Sequence, residues 1–314
     1  MPLRDVLNGF LKTADAFFGI PPPGEGDPDV GVLGIPYDLT SSFSPGSRFG
    51  PRQLRHATTA QRSHSRPTSL GFVSYEERPL LSETITLEDI GDLEIELRLP
   101  EAAMYDISDA AQRLAERNSC LLFLGGDHFI TYPLLKGLKR GRPGEYGLVW
   151  LDSHADFYKN YGGYKLSHAT TLRNCINDGL VDTENVVGHD LRSAHPDQRR
   201  ELAGREDVPI YDLDAFSETV QDIAERVDYI HISVDLDVLR PEVAPGVSHP
   251  ESGGLHVEDV CRLLRVAFTS QKVRHADIVE LNPMLDSSGL TAIAARDILK
   301  EILAGFAVQK SLKE

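Results

Sequence analysis

From residue 30 almost to the end of the chain, short continuous apolar runs alternate with longer stretches of helical periodicity. The predicted strands are 30–36, 119–126, 146–152, 185–190, 208–213, 229–237 and 275–283. The predicted helices are 101–118, 130–139, 195–204, 215–227, 257–269 and 290–307. Unbroken Val, Ile and Leu runs separated by helices favour a parallel sheet that is covered on both faces. We therefore predict an α/β fold of three layers, α/β/α, around a doubly wound, mainly parallel sheet.

A breaker rich in proline and glycine, PPPGEGDP (21–28), separates a short N-terminal segment from this pattern. Before it, apolar residues recur with a helical period, and they are Val6, Leu7, Phe10, Leu11, Ala14, Phe17 and Phe18. We predict that residues 1–28 form an N-terminal helix and arm, and that 29–314 form a single domain. The apolar stripe of the helix would pack on its own domain or on a neighbouring subunit, and the sequence leaves both open.

Charge, hydropathy and cysteine content exclude several classes of protein. The net charge of −16 argues against nucleic acid and anionic lipid as partners. It fits a cationic small molecule, although ordinary solubility is the better explanation of the charge. No apolar stretch approaches the ~20 residues that span a bilayer. Charged residues interrupt the N-terminus, so it does not resemble a signal peptide and we expect a cytoplasmic protein. The three cysteines include no CxxC pair, which argues against a disulfide scaffold or a thiolate zinc site.

Three predicted strands end in residues that bind metals. FLGGDH gives His128, WLDSHAD gives Asp152, His154 and Asp156, and SVDLD gives Asp235 and Asp237. Side chains at every second position of a strand point the same way. In doubly wound sheets the ligand crevice lies at the carboxyl ends of the strands. The sequence therefore predicts that all six side chains converge on one crevice.

Each of these fragments alone has a simpler interpretation, such as a tight turn in which Asp127 caps the next helix. Together, four carboxylates and two imidazoles are costly to bury, so either their pKa values shift heavily or metals bind. We favour metals. Six ligands exceed one tetrahedral zinc site, and carboxylates suit harder ions, so we expect two Mn²⁺ per chain, with other divalent ions possible. Two such ions would activate a shared water, which predicts a hydrolase.

Several segments resemble, in order and spacing, the signature segments of the ureohydrolases, the arginase and agmatinase superfamily. They are GGDHFITYP, WLDSHAD, SVDLDVLRPEVAPGVSHPESGGL and ADIVELNPMLD. Upstream, GIPYDLTSSFSPGSRFGPRQLR and DIGDL resemble the N-terminal segments of agmatinases. Separated motifs in the right order are far more specific than one motif. The resemblance implies an arginase-like fold and identifies 29–314 as one ureohydrolase domain.

The resemblance also implies roles for individual residues. One metal would bind His128, Asp152, Asp156 and Asp235, and the other Asp152, His154, Asp235 and Asp237, with Asp152 and Asp235 bridging. His168, in KLSHATTLR, matches the histidine that shuttles protons to the leaving amine. Glu280, in DIVELNP, matches the carboxylate that holds the substrate guanidinium. With Asp156 these two are the expected catalytic residues, although each alone would be an unremarkable polar residue.

The activity implied by the resemblance is cleavage of a linear guanidine to urea and an amine, with agmatine, giving putrescine, as the preferred substrate. A guanidino-acid hydrolase of the 4-guanidinobutyrate type and a formimidoylglutamase-like enzyme are the alternatives. The chemistry is consistent, because a cationic, resonance-stabilised guanidinium carbon needs a strong nucleophile and an anionic environment. The expected partner is therefore a small cationic guanidine.

The loop FYKNYGGYKLSH (157–168) should determine substrate specificity. Tyr158, with Tyr161 and Tyr164, could form a wall that tolerates an agmatine amine. Lys159 and Lys165 could instead pair with the carboxylate of a guanidino acid, or could simply be solvated surface lysines. The loop does not match the head-group loop of arginases.

Some positions depart from the family pattern. Ser153 replaces a usual alanine, Phe129 a usual serine and Arg240 a common aspartate. APGVSHPESGG replaces the usual APGTGTPEPGG, and His189 and Asp190 lie in VVGHDLR, where an arginine is more typical after the glycine. None of these changes removes a metal ligand, so they affect the expected substrate and not the expected metal centre.

Two other classes remain open: a metal-binding homologue without turnover, and a single-zinc deacetylase. The deacetylase interpretation leaves His128 and Asp237 without a role. A silent homologue should have lost a ligand, His168 or Glu280, and none is lost. The resemblance further implies a homo-oligomer, either a trimer or a hexamer.

Overall fold

A computed structural model describes residues 6, 11–12, 18–59, 81–202, 207–208 and 213–312. Within these residues one sheet contains nine strands in the order β1-β3-β2-β4-β9-β8-β5-β6-β7. The strands are β1 Leu11–Lys12, β2 Val30–Ile35, β3 Leu87–Leu93, β4 Cys120–Gly125, β5 Tyr146–Leu151, β6 Val186–His189, β7 Asp207–Val208, β8 Tyr229–Asp235 and β9 Val273–Val279. All neighbours are parallel except β1, which pairs antiparallel with β3 at one edge.

Helices cover both faces of the sheet. They are α1 Gly50–Thr58, α2 Leu81–Thr84, α3 Pro100–Ala115, α4 Thr131–Gly141, α5 Thr171–Asn177, α6 Pro196–Leu202, α7 Leu213–Arg226, α8 Val257–Thr269 and α9 Leu290–Ser311. Proline at the first position of α3 costs no hydrogen bond, because the first amides of a helix have no intrahelical partner. Within the described ranges, no helix combines the length and the apolar character needed to span a bilayer.

Alternate residues of the central strands enter two different hydrophobic cores. In β4, Leu122 and Leu124 belong to the core on one face, whereas Leu121 and Phe123 belong to the core on the other. The first core includes side chains of α1, α7, α8 and α9, and the second includes side chains of α3, α4 and α5. Strand side chains alternate between faces, so one strand can anchor both helical layers. The predicted three-layer, doubly wound, mainly parallel architecture is confirmed.

The prediction of an N-terminal helix is wrong at Leu11–Lys12, which form strand β1 against Leu93 and Asp92 of β3. Phe18 is not helical either, because its φ is +52°. Val6 is helical, and the rest of the predicted helix lies outside the described residues. Pairing with a sheet edge supplies hydrogen bonds that local periodicity does not reveal.

Two further differences concern strands. Strand β3 was not predicted from the sequence, because its acidic residues are not typical of a buried strand. The strand predicted at 208–213 is observed only as β7, residues 209–212 lie outside the described part of the chain, and residue 213 already begins α7. The division into residues 1–28 and 29–314 stays a prediction.

The four adjacent strands β4, β9, β8 and β5 are the ones that matter for the site. They lie side by side and parallel, so their carboxyl ends meet at the same edge of the sheet. Consecutive β4 and β5 are separated by β9 and β8, which is the change of strand order that opens a crevice in such sheets.

Candidate metal centre

The six predicted ligands lie together at this edge. His128 begins a 3-10 helix after β4, and Asp235 is the last residue of β8, followed by Asp237 in another 3-10 helix. Asp152, His154 and Asp156 follow β5 but not as a strand, because β5 ends at Leu151. Their convergence therefore results from a loop and not from strand alternation. Asp156 adopts φ +44°, a left-handed conformation that is uncommon for a residue with a side chain.

One group of ligand atoms surrounds Nδ1 of His128. This nitrogen lies 3.0 Å from Oδ2 of Asp152, 3.1 Å from Oδ2 of Asp235 and 3.4 Å from Oδ2 of Asp156. All four residues are buried. Nitrogen and oxygen donors at this spacing could hold one cation.

A second group surrounds Nδ1 of His154. It lies 2.8 Å from Oδ2 of Asp237 and 3.6 Å from Oδ1 of Asp152. Asp152 thus offers one oxygen to each group, which suits a carboxylate shared by two cations. Asp235 joins the groups through the backbone, since its Oδ1 accepts from the amide of Asp237 at 2.8 Å.

The electrostatics of the cluster fit divalent cations. Burial, with the charges of Asp237 and Asp152, raises the pKa of Asp235 well above its usual value. Burial and Asp152 raise the pKa of Asp156 in the same way. The buried Oδ2 of Asp152 and Nδ1 of His128 lie 3.0 Å apart, and within the described part of the chain neither has a hydrogen-bond partner outside the cluster. Carboxylate and imidazole ligands suit ions such as manganese, and bound cations would offset this repulsion.

Outer interactions fix the orientation of His128. Its Nε2 lies 2.9 Å from the hydroxyl of Ser233, which donates to Oδ1 of Asp277 at 2.6 Å. Oδ2 of Asp277 accepts from Thr131 at 2.9 Å. Trp150 stacks on the imidazole at 4.1 Å between ring centroids. Supporting groups of this kind hold a metal-binding histidine in one orientation.

The second group has its own supports. Ser153 donates to Oδ1 of Asp237 through its amide at 3.1 Å and its hydroxyl at 2.7 Å. Arg192 donates to the carbonyl oxygens of Asp237 at 2.7 Å and Val238 at 3.2 Å, and it pairs with Asp190. Ser153 and Asp190, both departures from the family pattern, therefore support the ligand loops directly or through Arg192.

Glu280 follows β9 and lies beside the cluster. It is 2% exposed and adopts φ +66°. Burial, with the charges of Asp235 and Asp127, raises its pKa well above the usual value. The raised pKa favours the neutral acid, and a cationic group that enters the cavity would favour the charged carboxylate instead.

His168 lines the same cavity as Glu280 and is held by the loop that contains Thr40. Its Nδ1 lies 2.7 Å from the carbonyl oxygen of Thr40, and its amide donates to the Thr40 hydroxyl at 3.0 Å. A carbonyl oxygen only accepts, so Nδ1 carries a proton and neutral His168 has a bare Nε2. Burial, together with the neighbouring His249, lowers the pKa of His168 to about 4.

These side chains line a cavity of about 150 Å³. Its lining consists of Ser42, His128, His154, Ala155, Asp156, Tyr158, Tyr161, His168, Ala169, Ser193, Ala194, His195, Gln198, Asp235, Asp237, His249 and Glu280. Asp152 is buried behind this lining. A neighbouring cavity shares Tyr158, His195 and Gln198 with it.

The structure separates the predicted specificity residues. Tyr158 lines the cavity, whereas Lys159 lines the neighbouring one, where its 74% exposed side chain lies 3.6 Å from Glu201. Lys165 is exposed and outside the lining of both cavities. Tyr164 is 72% exposed and also outside both linings.

Sequence reasoning missed Ser42 and His249, which both contact His168. The Ser42 hydroxyl lies 3.3 Å from Nε2 of His168 and 3.1 Å from Nε2 of His249. The rings of the two histidines stack at 4.8 Å. The signal was the SHPE segment, where His249 stands in place of a usual threonine; the sequence does not show that this segment meets residues 40–42.

The chain is similar to known proteins over most of its length. The sequence model of the Arginase family matches residues 28–305. The chain is 28% identical to the agmatinase of Bacillus anthracis over 287 residues, covering 90% of this chain and 94% of that protein. It is 30% identical to the mitochondrial guanidino acid hydrolase of Homo sapiens over 283 residues, covering 88% and 77%. The structure of proclavaminate amidino hydrolase from Streptomyces clavuligerus superimposes with a TM-score of 0.77 at 29% identity, covering 95% of this chain and 98% of that one.

Proposed function

This chain belongs to the arginase family, and from that premise we propose that it is a binuclear-metal hydrolase that cleaves a linear guanidine to urea and an amine. One observation carries the proposal: two ligand groups share Asp152, and their cavity also contains Glu280 and His168. A buried acid for the guanidinium and a histidine for the leaving group are what this reaction needs beside metals.

The residues that would hold the two ions are the groups around His128 and His154, with Asp152 in both groups and Asp235 in the first. When bound, two divalent ions, preferably manganese, would supply a nucleophilic water at neutral pH. Glu280 pairs with the guanidinium and orients its carbon toward that position. Its burial strengthens the pair, because few waters compete for the carboxylate.

His168 handles the proton of the leaving nitrogen. In the free protein it is neutral near pH 7, because its pKa is lowered to about 4. Its Nε2, with Nδ1 fixed on Thr40, is the position that takes up a proton and then delivers it to the departing amine. Asp156, which lies 3.4 Å from Nδ1 of His128 in the first ligand group, is the third proposed catalytic residue.

For the substrate we propose agmatine first, with putrescine and urea as products. The similarity to agmatinases, including the segment SFSPGSRFGP, supports this choice. The rings of Tyr158 and Tyr161 line the cavity and tolerate an alkyl ammonium tail.

A guanidino acid such as 4-guanidinobutyrate is the second candidate, and one observation favours it. Among the described residues that line the cavity, the only carboxylates are Glu280 and the proposed metal ligands Asp156, Asp235 and Asp237. An ammonium tail therefore has no acid of its own there, whereas Lys159 lies in the adjoining cavity. The similarity to the human guanidino acid hydrolase agrees with this alternative.

Urea release from agmatine, 4-guanidinobutyrate and arginine by the manganese-loaded protein tests the proposal. Agmatine is expected to give the highest kcat/KM. If Lys159 binds the carboxylate of a guanidino acid, Lys159→Met should lower kcat/KM for that acid by an amount equivalent to ~1.5–3 kcal/mol. The kcat/KM for agmatine should stay unchanged or improve. No urea from any guanidine by a protein that holds two ions would refute the proposed activity.

We also propose that the protein is a cytoplasmic homo-oligomer, a trimer or a hexamer. Phe18 of the predicted N-terminal stripe is 3% exposed in the chain itself, so this residue does not supply apolar surface for a neighbouring subunit. Light scattering at micromolar concentration should give a multiple of the 34.7 kDa chain mass.

A further inference from the structure

We propose that Ser42 and His249 position His168 for proton transfer, an inference that rests on the proposed function. The Ser42 hydroxyl bridges the two histidines, at 3.3 Å from Nε2 of His168 and 3.1 Å from Nε2 of His249. The three side chains belong to segments far apart in the sequence and meet at the wall of the cavity.

The contact of His168 with the carbonyl oxygen of Thr40 determines which group donates in each of these hydrogen bonds. The carbonyl of Thr40 requires a proton on Nδ1 of His168, so Nε2 of the neutral ring is an acceptor. The hydroxyl of Ser42 therefore donates to His168. Its oxygen then accepts from a proton on Nε2 of His249, which completes a chain of three consistent bonds.

This chain suits a group that must exist in two protonation states. When His168 carries a proton on Nε2, the Ser42 hydroxyl can rotate and accept from it, because a hydroxyl both donates and accepts. The stacked ring of His249, tilted by 20°, restricts rotation of His168. Nε2 is therefore held in one position in both protonation states. Small displacements of a group that transfers a proton lower the reaction rate strongly.

Ser42 and His249 contact His168, and the ring of His249 also lies edge to face with that of the proposed ligand His154, with the centroids 6.2 Å apart. Both residues are argued to act through His168 and are therefore positioning residues, and the metal content of each variant is measured beside its kinetics. Ser42→Ala removes both bonds, and His249→Phe keeps a stacking ring but removes the donor. Each variant is expected to lower kcat at least about tenfold with KM changed less than about twofold. His249→Gln restores a donor and should recover kcat to within about threefold of the wild type. The double variant Ser42→Ala/His249→Phe should match Ser42→Ala, because that variant has already removed the shared bond.

Ser41→Ala is the matched control, since the neighbouring hydroxyl donates to the carbonyl of Phe43 and not to a histidine. It should keep the kcat and Tm of the wild type. Wild-type kcat in both Ser42→Ala and His249→Phe would overturn the proposal, as would a His249→Gln variant no better than His249→Phe. A rise in KM alone would mean that the pair binds substrate, which also overturns it.

A readout without turnover separates this inference from the proposed activity. In ¹⁵N NMR spectra of the magnesium-loaded protein, assigned with His168→Asn, the Nε2 signal of His168 should be that of an unprotonated nitrogen and should shift in Ser42→Ala. An unshifted signal would overturn the positioning bond even in an active enzyme. A shifted signal in a protein that releases no urea would support the bond and refute the proposed activity alone.

Discussion

The backbone amide of His128 donates to Oε1 of Glu280 at 2.9 Å, which couples the first histidine of the cluster to the acid that faces it. The amide of Glu280 in turn donates to the carbonyl of Gly126 at 2.8 Å. These bonds join the ends of β4 and β9. Among the described residues, Oε2 of Glu280 has no hydrogen-bond partner and so remains available to a cationic ligand.

Replacing Glu280 with Gln should therefore remove guanidinium binding without disturbing the metals. The amide oxygen of Gln can still accept from His128, so metal content should stay at the wild-type value. Loss of a buried charged pair should lower kcat/KM roughly 100-fold, which corresponds to about 3 kcal/mol. Steady-state kinetics with metal analysis would check this, and Glu242→Gln at an exposed site is the control. Unchanged kcat/KM would remove Glu280 from the substrate site.

The two ligand groups predict two divalent ions per chain, with manganese giving the fastest urea release. Asp235→Asn removes an anionic ligand of the first group and should reduce the content to at most one ion and abolish turnover. Elemental analysis after dialysis measures the ratio. Asp222→Asn, at an exposed position of α7, should bind as the wild type does. A wild-type protein saturated at one ion would contradict the binuclear proposal.

Arg192→Lys should weaken the second ion more than the first. Arg192 donates to several carbonyl oxygens of the ligand loop, and the single ammonium of lysine cannot replace this fork. We expect a loss of about 1–3 kcal/mol in unfolding free energy and a weaker second step in a metal titration. Arg240→Lys is a fitting comparison, because within the described part of the chain the exposed Arg240 side chain donates one hydrogen bond, to the carbonyl of Gly254. This substitution should change stability by less than about 0.5 kcal/mol. Equal effects of both substitutions would argue against a special role for Arg192.

Stability should fall below pH 6.5 partly because of His189. This side chain is 1% exposed, and burial lowers its pKa to about 4 against the opposing charge of Asp259. Between pH 6.5 and 4 the unfolded chain binds the extra proton, so stability decreases as pH falls through that window. His189→Phe should reduce the loss of unfolding free energy between pH 7 and pH 5 by roughly 2 kcal/mol.

Denaturant unfolding at the two pH values measures this difference. Burial lowers the pKa of His275 in the same direction, but that residue is present in both proteins and cancels in the comparison. His56→Phe, which removes an exposed histidine of α1, should keep the wild-type pH dependence. The same loss in His189→Phe as in the wild type would show that His189 is not the group that titrates.

Several features followed from the sequence alone because they depend on local pattern and on general sheet geometry. The apolar runs of β4, β5, β8 and β9 predicted buried parallel strands, and this prediction is confirmed. Since carboxyl ends of parallel strands meet at one edge, the residues that follow them had to approach each other, whatever the details of the loops. The fold and the neighbourhood of the six predicted ligands were therefore predictable.

The strand β3 was not predictable from its own residues. Its segment LEDIGDL contains acidic residues that normally argue against a buried strand. Arg55 of α1 pairs with two of them, donating to Asp89 at 2.8 Å and to Asp92 at 2.5 Å. Strand β1 exists only because β3 offers it an edge about 80 residues away.

Tertiary structure alone decided how the site is assembled. Asp152, His154 and Asp156 converge through a loop that bends at Asp156, although the two-residue spacing suggested a continuing strand. His168 contacts Ser42, which lies 126 residues away in the sequence. Ser42 in turn contacts His249, which lies 207 residues from it. Periodicity reports which face of an element is buried, but it carries no information on which distant loops pack against each other. That choice is made when the two cores close on the sheet and bring the loops at its carboxyl edge into contact.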